Sequence, residues 1–303
     1  MRAYLDCYPC FLRQALDAAR MAGADEQGQR KILGRVLDVL QSATLSTTPP
    51  QISHQVHRIV RQETGADDPY GAAKARSTEQ ALALYPWMEQ LLADADDRLE
   101  TAVRLSIGGN IIDMAADAQY DLREEVRRVL REPFGIDDGE AFRAALDEAE
   151  EVLYLADNAG ETVFDRLLIK FIAPRVIYAV KGHPTINDAT IEDAKAAGVD
   201  QVAQLMSNGS DAPGTVLEAC SDRFRRTYEA AELIIAKGQA NYETLSDEGP
   251  RVFFLLQTKC PVIARDLSAP HRSLILHQGR GGRGPQDGGP QDGGPQYEKE
   301  TQP

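Results

Sequence analysis

Hydrophobic residues recur every three to four positions through the first half of the chain, a spacing that predicts amphipathic helices. Clear examples are residues 11–19, 32–40 and 52–60. The pair Pro49-Pro50 marks the start of the third of these helices, and Gly65 marks its end. About eight helices and no strand are therefore predicted within residues 1–145.

The second half of the chain instead carries short apolar runs that are separated by polar loops and helical patterns. Five of these runs are predicted strands and a sixth is a candidate, in chain order 152–155, 176–180, 201–205, 233–236, 252–256 and 262–264. Strands that alternate with helices are typical of βαβ units. The predicted fold class is α/β, with an all-helical N-terminal domain at 1–148 and a three-layer α/β/α domain with a mostly parallel sheet at 149–278.

Composition narrows the choice of partners and compartment. Residues 279–303 are rich in Gly, Pro and Gln and are predicted to be disordered. The formal charge of −14 disfavours nucleic acid and anionic membranes, because both require a basic surface. The sequence has no secretory signal and no apolar run of about 20 residues, the length that spans a membrane. The 4 cysteines are too few for a secreted disulfide framework, so we expect a cytoplasmic protein whose oligomeric state is open.

The apolar run 152–155 ends at Asp157-Asn158, directly before a helical pattern that begins near Glu161. In open α/β sheets ligands bind outside the carboxyl ends of the strands, where these side chains would lie. Neighbouring carboxylate and amide oxygens suit a hard divalent cation. The alternative interpretation is that Asp157 or Asn158 simply caps the following helix.

Polar side chains also follow the other predicted strands. In chain order they are Lys181, Asp188, Ser207, Asn208, Ser210, Asp211, Lys237 and Lys259. Because the carboxyl ends of parallel strands meet at one edge of a sheet, these groups would converge on one crevice. Carboxylates can hold a cation there, while lysines and helix-N-terminal amides can bind phosphate. A metal with fixed cationic donors is what phosphoryl transfer requires.

Common alternatives to such a site do not match the sequence. No Gly-x-Gly-x-x-Gly follows the first predicted strand, which disfavours dinucleotide binding. A P-loop, Gly-x-x-x-x-Gly-Lys-Ser/Thr, and a Gly-x-Ser-x-Gly nucleophile elbow are both missing from the sequence. The crevice therefore does not match a standard nucleotide site or serine hydrolase site.

Eight short motifs occur in order along residues 1–268: Cys7-Tyr-Pro-Cys10, Asp68-Pro69-Tyr70 with Lys74, Gly109-Asn110-Ile-Ile-Asp113, Asp157-Asn-Ala-Gly-Glu161, Asn187-Asp188-Ala-Thr190, Ser210-Asp-Ala-Pro-Gly214, Lys237-Gly-Gln and Lys259-Cys-Pro261. In these motifs the sequence resembles the damage-control phosphatases, in their compact prokaryotic subgroup. The resemblance implies a helical N-terminal domain, an α/β/α domain and metal-dependent phosphatase activity on small phosphorylated metabolites such as sugar phosphates.

The resemblance also implies roles for individual residues. Asp157, Asn158 and Asp188 take the metal-ligand positions, and Asn110 and Asp113 would reach the site from the helical domain. The implied cofactor is a divalent cation such as Mn, Mg, Co or Ni. The implied partner is a small phosphorylated metabolite.

Two lysines belong to the implied site. By the resemblance Lys237 contacts the phosphate, and Lys259 occupies the family's C-terminal lysine motif. Gln257-Thr258 precedes Lys259 where eukaryotic members have Arg-Thr, which leaves the role of Lys259 open.

The chemistry of the residues leaves the catalytic step open. Glu161, Asp113 or Asp188 could orient or deprotonate the attacking water, while amides of residues 207–214 bind phosphate oxygens. An aspartyl-phosphate route through Asp157 is a further possibility.

Cys7 and Cys10 have Cys-x-x-Cys spacing near the start of the chain. They are too few for a structural zinc site, although His54 and His57 could complete a set of four ligands. No βαβ unit precedes them, which disfavours a redox motif. We therefore expect structural thiols, with a metal or redox role as the alternative.

Two other functions compete with phosphate-ester hydrolysis. One is an S-adenosylmethionine-dependent carboxyl methyltransferase, an activity also proposed within the family, but the usual glycine-rich loop after the first strand is missing. The other is a non-enzymatic metal or metabolite sensor. A sensor would need metal ligands but no general base, so turnover distinguishes the two cases.

Overall fold

The computed structural model describes residues 1–44, 46–109 and 121–281. Its first six helices are α1 (Cys7–Met21), α2 (Glu26–Ser42), α3 (Pro49–Thr64), α4 (Gly71–Ala93), α5 (Arg98–Gly108) and α6 (Leu122–Arg131). The later helices are α7 (Gly139–Glu148), α8 (Thr162–Ile169), α9 (Ile191–Ala196), α10 (Asp222–Ala230), α11 (Gly238–Leu245) and α12 (Pro261–Leu267). None of the described helices is long and apolar enough to cross a membrane.

Local sequence explains where α3 begins and ends. Thr48 and Gln51 form a capping box before it, and Pro49 occupies its first turn, where a missing N–H costs nothing. Gly65 follows the helix in the left-handed conformation (φ 70°), which glycine adopts without strain. The predicted limits of this helix are therefore confirmed.

One mixed sheet contains seven strands: β1 (Phe134–Asp137), β2 (Glu151–Leu155), β3 (Arg175–Val180), β4 (Gln204–Ser207), β5 (Leu233–Lys237), β6 (Val252–Gln257) and β7 (Leu274–Gln278). Their order across the sheet is β1-β7-β6-β5-β2-β3-β4. All neighbouring strands pair in parallel except β6 and β7, which are antiparallel. The predicted α/β class with a mostly parallel sheet is confirmed.

Some strand predictions were wrong. β1 was missed because it has only four residues, contains Gly135 and lies at the sheet edge, where its side chains are only half-buried or exposed. β7 was missed because only three of its residues form an apolar run before His277. The candidate strand 262–264 lies within α12, whose first residue, Pro261, favours a helix start. The third predicted strand begins later than expected, because Val199–Gln201 forms a 3₁₀ helix.

Three hydrophobic clusters hold these elements together. Helices α1–α3 share a core of their own, which includes Phe11, Ile32, Val36, Ile52 and Val56. Helices α4–α8 pack on one face of the sheet, and α10–α12 pack on the other. The predicted division at residue 148 passes through the first sheet-face cluster and stays a prediction.

The start of the predicted tail contacts the folded part of the chain. The amide of Gly279 donates to the carbonyl of Val252 (2.8 Å), and that of Gly281 donates to the carbonyl of Glu248 (3.0 Å). The predicted disordered tail thus begins with residues that are hydrogen-bonded beside β6. Its remainder, 282–303, lies outside the described residues.

Candidate active site

The three predicted metal ligands come together because two loops pair beyond the carboxyl ends of β2 and β3. The loop after β2 carries Asp157 and Asn158, and the loop after β3 carries Asp188. The backbones of Asn158 and Asp188 form an isolated antiparallel bridge. The amide of Ala189 also donates to the carbonyl of Asp157 (2.8 Å). Sequence order alone could not show this pairing, which fixes the two loops against each other.

These loops lie at the point where the chain reverses direction across the sheet. From β2 the chain continues to β3 on one side, whereas β5, on the other side of β2, continues to β6. In open α/β sheets such a switch point forms a crevice outside the carboxyl ends of the strands. The crevice between the ends of β2 and β5 is therefore the expected position for a ligand.

Gly238 allows the Asp157 carboxylate to enter this crevice. Gly238 starts α11 with φ +78°, and a Cβ on this residue would lie 1.8 Å from Asp157 Oδ2. Both the backbone conformation and the space therefore require glycine. The Asp157 carboxylate lies directly against the first residue of α11.

Several carboxylates crowd this position. Asp157 and Asp188 are 8% and 4% exposed, respectively. Burial raises the pKa of Asp157 well above its ordinary value, and Glu161 and Asp188 raise it further, while Lys259 and Lys237 act in the opposite direction. Burial and the neighbouring carboxylates therefore disfavour the charged form of Asp157, and a cation bound at this position would stabilise that form.

Glu161 fixes the orientation of Asn158. The Asn158 side-chain amide donates to Glu161 Oε1 (2.7 Å), and Lys237 Nζ donates to Glu161 Oε2 (3.2 Å). Both carboxylate oxygens of Glu161 are thus engaged within the protein. The contact also identifies which end of the Asn158 carboxamide is the NH₂ group, so its oxygen lies on the other side.

Lys237 is buried inside the protein and does not line the cleft that Asp157 and Asn158 line. Its ammonium donates to Asp165 Oδ1 (2.7 Å), Glu161 Oε2 (3.2 Å) and the carbonyl of Ser106 (2.8 Å). Burial lowers the pKa of Lys237, but the charges of Asp165 and Glu161 outweigh that effect and raise the pKa to about 12. Its three N–H groups therefore serve an internal network, whereas the sequence predicted a phosphate contact.

Asp165 is the centre of this network, and sequence reasoning missed it. Its carboxylate also accepts hydrogen bonds from Tyr154 (2.8 Å), Tyr178 (2.7 Å) and Ser106 (2.8 Å). Tyr154 and Tyr178 lie opposite each other in the β2–β3 pairing, which brings their hydroxyls to one place. The sequence offered one indication of such an acid, because Tyr154 and Tyr178 place hydroxyl groups within two otherwise apolar strands. A buried acid was needed to satisfy them.

A cleft of about 360 Å³ opens over the predicted ligands. Asp157, Asn158 and Asp188 line one side, together with Lys259. Helix α1 and the start of α3 provide the other side, which is lined by Cys7, Cys10, Phe11, Gln14, Pro50 and Ser53. A larger cavity of about 520 Å³ lies at the amino ends of β2 and β3, and none of the predicted site residues lines it.

None of the four predicted residues of the 207–211 loop lines the cleft. Asn208 Oδ1 accepts from the amide of Ser210 (2.9 Å), and Ser210 Oγ accepts from the amide of Ala212 (3.0 Å). Ser207 ends β4, and its hydroxyl accepts from the amide of Gly209 (3.1 Å). These polar groups shape the loop itself, which is a frequent use of Asn and Ser in turns.

Asp211 joins this loop to α3. Its carboxylate contacts His54 Nε2 (2.6 Å) and also binds Arg61. His57 is buried next to Tyr70 in the helical region, so the structure does not assemble the two histidines with Cys7 and Cys10. Among the described residues no group of three or more His, Cys, Asp and Glu side chains is placed to hold a metal, so the zinc alternative finds no support there.

The remaining predicted residues have different environments. Lys181 is buried, lies 3.3 Å from Asp188 Oδ2 and donates to the carbonyl of Gly214. Lys259 is exposed at the cleft, and its backbone amide donates to Gln239 (3.1 Å). Asn110 and Asp113 lie outside the described residues.

No group of three or more His, Cys, Asp and Glu side chains within residues 1–44, 46–109 and 121–281 has the arrangement of a metal site. The predicted set differs from that pattern in having two carboxylates and one carboxamide. All three are oxygen donors, which suits Mg²⁺ or Mn²⁺ better than a thiophilic metal.

The fold and the crevice define a class of protein: an α/β protein with an acidic crevice at its topological switch point. A family model described as the damage-control phosphatase ARMT1-like domain matches residues 3–275. The chain therefore belongs to this family and is a damage-control phosphatase, a hydrolase.

Archaeal relatives extend over nearly the whole chain. A damage-control phosphatase of Archaeoglobus fulgidus is 37% identical over 272 residues, which cover 86% of this chain and 93% of the relative. Damage-control phosphatase PH1575 of Pyrococcus horikoshii is 34% identical over 287 residues, covering 92% and 99%. The crystal structure of that DUF89 family protein matches with a TM-score of 0.86 and 32% identity, over 92% of this chain and all of that one.

Proposed function

We propose that the protein hydrolyses phosphomonoesters of small metabolites, such as sugar phosphates, and that it requires a divalent cation. The observation that carries the proposal is the convergence of Asp157, Asn158 and Asp188 on one side of a 360 Å³ cleft at the switch point of the sheet. A cleft of this size suits a small metabolite.

The donor chemistry of the site fits a hard cation. Asp157 and Asp188 contribute carboxylates, and Asn158 contributes a carboxamide oxygen whose side is set by Glu161. Burial and, after it, the neighbouring carboxylates raise the pKa of Asp157, and a bound cation would offset that rise by stabilising the charged carboxylate. When bound, the cation would supply positive charge to the phosphoryl oxygens of the substrate.

The protein's own groups would perform the remaining tasks. Lys259 is the lysine on the cleft surface, so it is better placed than Lys237 to contact a phosphate. Glu161 orients Asn158 and does not deprotonate the water, because both of its oxygens are already engaged. Lys181 Nζ lies 3.3 Å from Asp188 Oδ2 and places a positive charge beside this carboxylate, which makes Asp188 the preferred group to orient the attacking water.

Phosphate release from metal-stripped protein tests this proposal. Sugar phosphates and a generic aryl phosphate would be assayed with Mg²⁺, Mn²⁺, Co²⁺ or Ni²⁺ added back. Turnover should return with at least one metal and be lost in Asp157→Asn, while the exposed Asp200→Asn serves as a control that removes an equal charge. Metal binding that depends on Asp157 without any phosphate release would support a sensor instead.

A further inference from the structure

The segment that carries Asp188 contains a strained residue. Ile186 has φ +46°, a conformation that a β-branched residue adopts only when its surroundings impose it. Ile186, Asn187 and Asp188 all line the cleft. The segment 184–193 therefore has to be held in place from outside itself.

Two cations from the helical region hold the two ends of this segment. Arg61 of α3 donates to the carbonyl of Pro184 (3.2 Å). At the other end, Lys74 of α4 donates to Asp193 Oδ2 (2.9 Å). The strained residue and Asp188 lie between these two contacts.

Lys74 forms a cluster of three charged side chains with Asp68 and Asp193. Lys74 is only 3% exposed, and its ammonium also lies 2.8 Å from Asp68 Oδ2. Burial lowers the pKa of Lys74, but its hydrogen bonds to Asp68 and Asp193 outweigh that effect and raise the pKa. The lysine is therefore charged, and a buried charge with two carboxylate partners is costly to remove.

Asp193 links Lys74 to the backbone next to Asp188. The same Asp193 oxygen that binds Lys74 accepts from the amide (2.9 Å) and the hydroxyl (2.8 Å) of Thr190. Thr190 is separated from Asp188 only by Ala189, whose carbonyl accepts from the amide of Lys181 (2.9 Å). A chain of direct contacts thus leads from Lys74 to the Asp188 loop.

We propose that Lys74 is a positioning residue: with Asp68 and Asp193 it holds the Asp188 loop of the strained segment 184–193 in the geometry that binds the catalytic cation. This inference rests on the proposed function, because it takes Asp188 as a ligand of that cation. It assigns a role to the Asp68-Pro69-Tyr70/Lys74 motif, which lies far from Asp188 in sequence. Polar groups that orient metal ligands are commonly needed for full metal affinity.

The test combines Mn²⁺ binding to metal-stripped protein, measured by calorimetry, with steady-state kinetics on an aryl phosphate. Lys74→Met should weaken Mn²⁺ binding by about 10-fold or more and lower kcat, with a smaller effect on KM. Lys170→Met is the control, because Lys170 pairs with Glu89 on the surface, at 2.7 Å. Thr190→Val keeps the backbone contact to Asp193 and removes the hydroxyl, which donates to the Asp193 carboxylate and caps α9 by accepting from the Asp193 amide. This variant should weaken Mn²⁺ binding in the same direction and covers the case in which Lys74→Met does not fold.

A lowered thermal midpoint with Mn²⁺ affinity and kcat within about twofold of the wild type would overturn the inference, since the cluster would then be purely structural. If Lys74→Met does not fold, unchanged Mn²⁺ affinity in Thr190→Val would overturn it equally. Failure of the proposed function looks different. In that case wild-type protein would release no phosphate, yet Lys74→Met would still weaken Mn²⁺ binding.

Discussion

The substitution Gly238→Ala tests whether the position of the Asp157 carboxylate determines activity. The new Cβ would lie 1.8 Å from Asp157 Oδ2, whereas ordinary contacts begin at 3.4 Å, so the groups must separate by the difference, about 1.6 Å. Displacement of a reacting group by about 1 Å can cost about 100-fold in rate. We therefore expect kcat/KM for an aryl phosphate to fall at least about 100-fold, with weaker Mn²⁺ binding.

The backbone contribution can be separated from the steric one. Gly238 and Gly23 both have φ +78°, but a Cβ on Gly23 would meet nothing within 4 Å. Each alanine variant should lose about 1–2 kcal/mol of stability from the left-handed backbone conformation, as measured by chemical denaturation. Only Gly238→Ala should lose activity. If both variants keep similar kcat/KM values, the contact with Asp157 does not control the site.

Burial lowers the pKa of His57 from 6.5 to about 4, so the unfolded chain binds a proton that the folded protein excludes between these values. The free energy of unfolding should therefore fall by up to about 3 kcal/mol as the pH drops through that window. His57→Leu should flatten this decline in denaturation experiments. If the variant has the same pH profile as the wild type, the decline is not due to His57. Cys10 is exposed at the cleft, whereas Cys220 is buried in the sheet core. Phosphate with Mn²⁺ should slow the labelling of Cys10 by a maleimide, as measured by mass spectrometry. Cys220 should stay unreactive throughout. Equal labelling rates of Cys10 with and without phosphate would contradict the binding of phosphate in this cleft.

Residue patterns could predict the class of fold and the strand ends at which the candidate site residues meet, because both depend on short-range information. A buried apolar strand that ends in Asp157-Asn158 is recognisable locally, and parallel strands necessarily bring their carboxyl ends to one edge. The edge strand β1 and the short strand β7 were missed because their hydrophobic patterns are weak.

Contacts between distant segments could not be read from the sequence. Asp165 looks like an ordinary helix carboxylate until Tyr154, Tyr178 and Lys237 are brought to it by the sheet. The side chains of residues 207–211 looked available for phosphate because the sequence does not show that their polar groups form hydrogen bonds within the loop itself. The contribution of α1 to the cleft likewise depends on tertiary packing alone.

The most direct test of the account is metal-dependent phosphate release by wild-type protein and Asp157→Asn, measured side by side after metal removal. Without metal neither protein should turn over substrate, and a divalent cation should restore turnover in the wild type but not in Asp157→Asn. Equal turnover in both proteins would show that the Asp157 crevice is not the catalytic site.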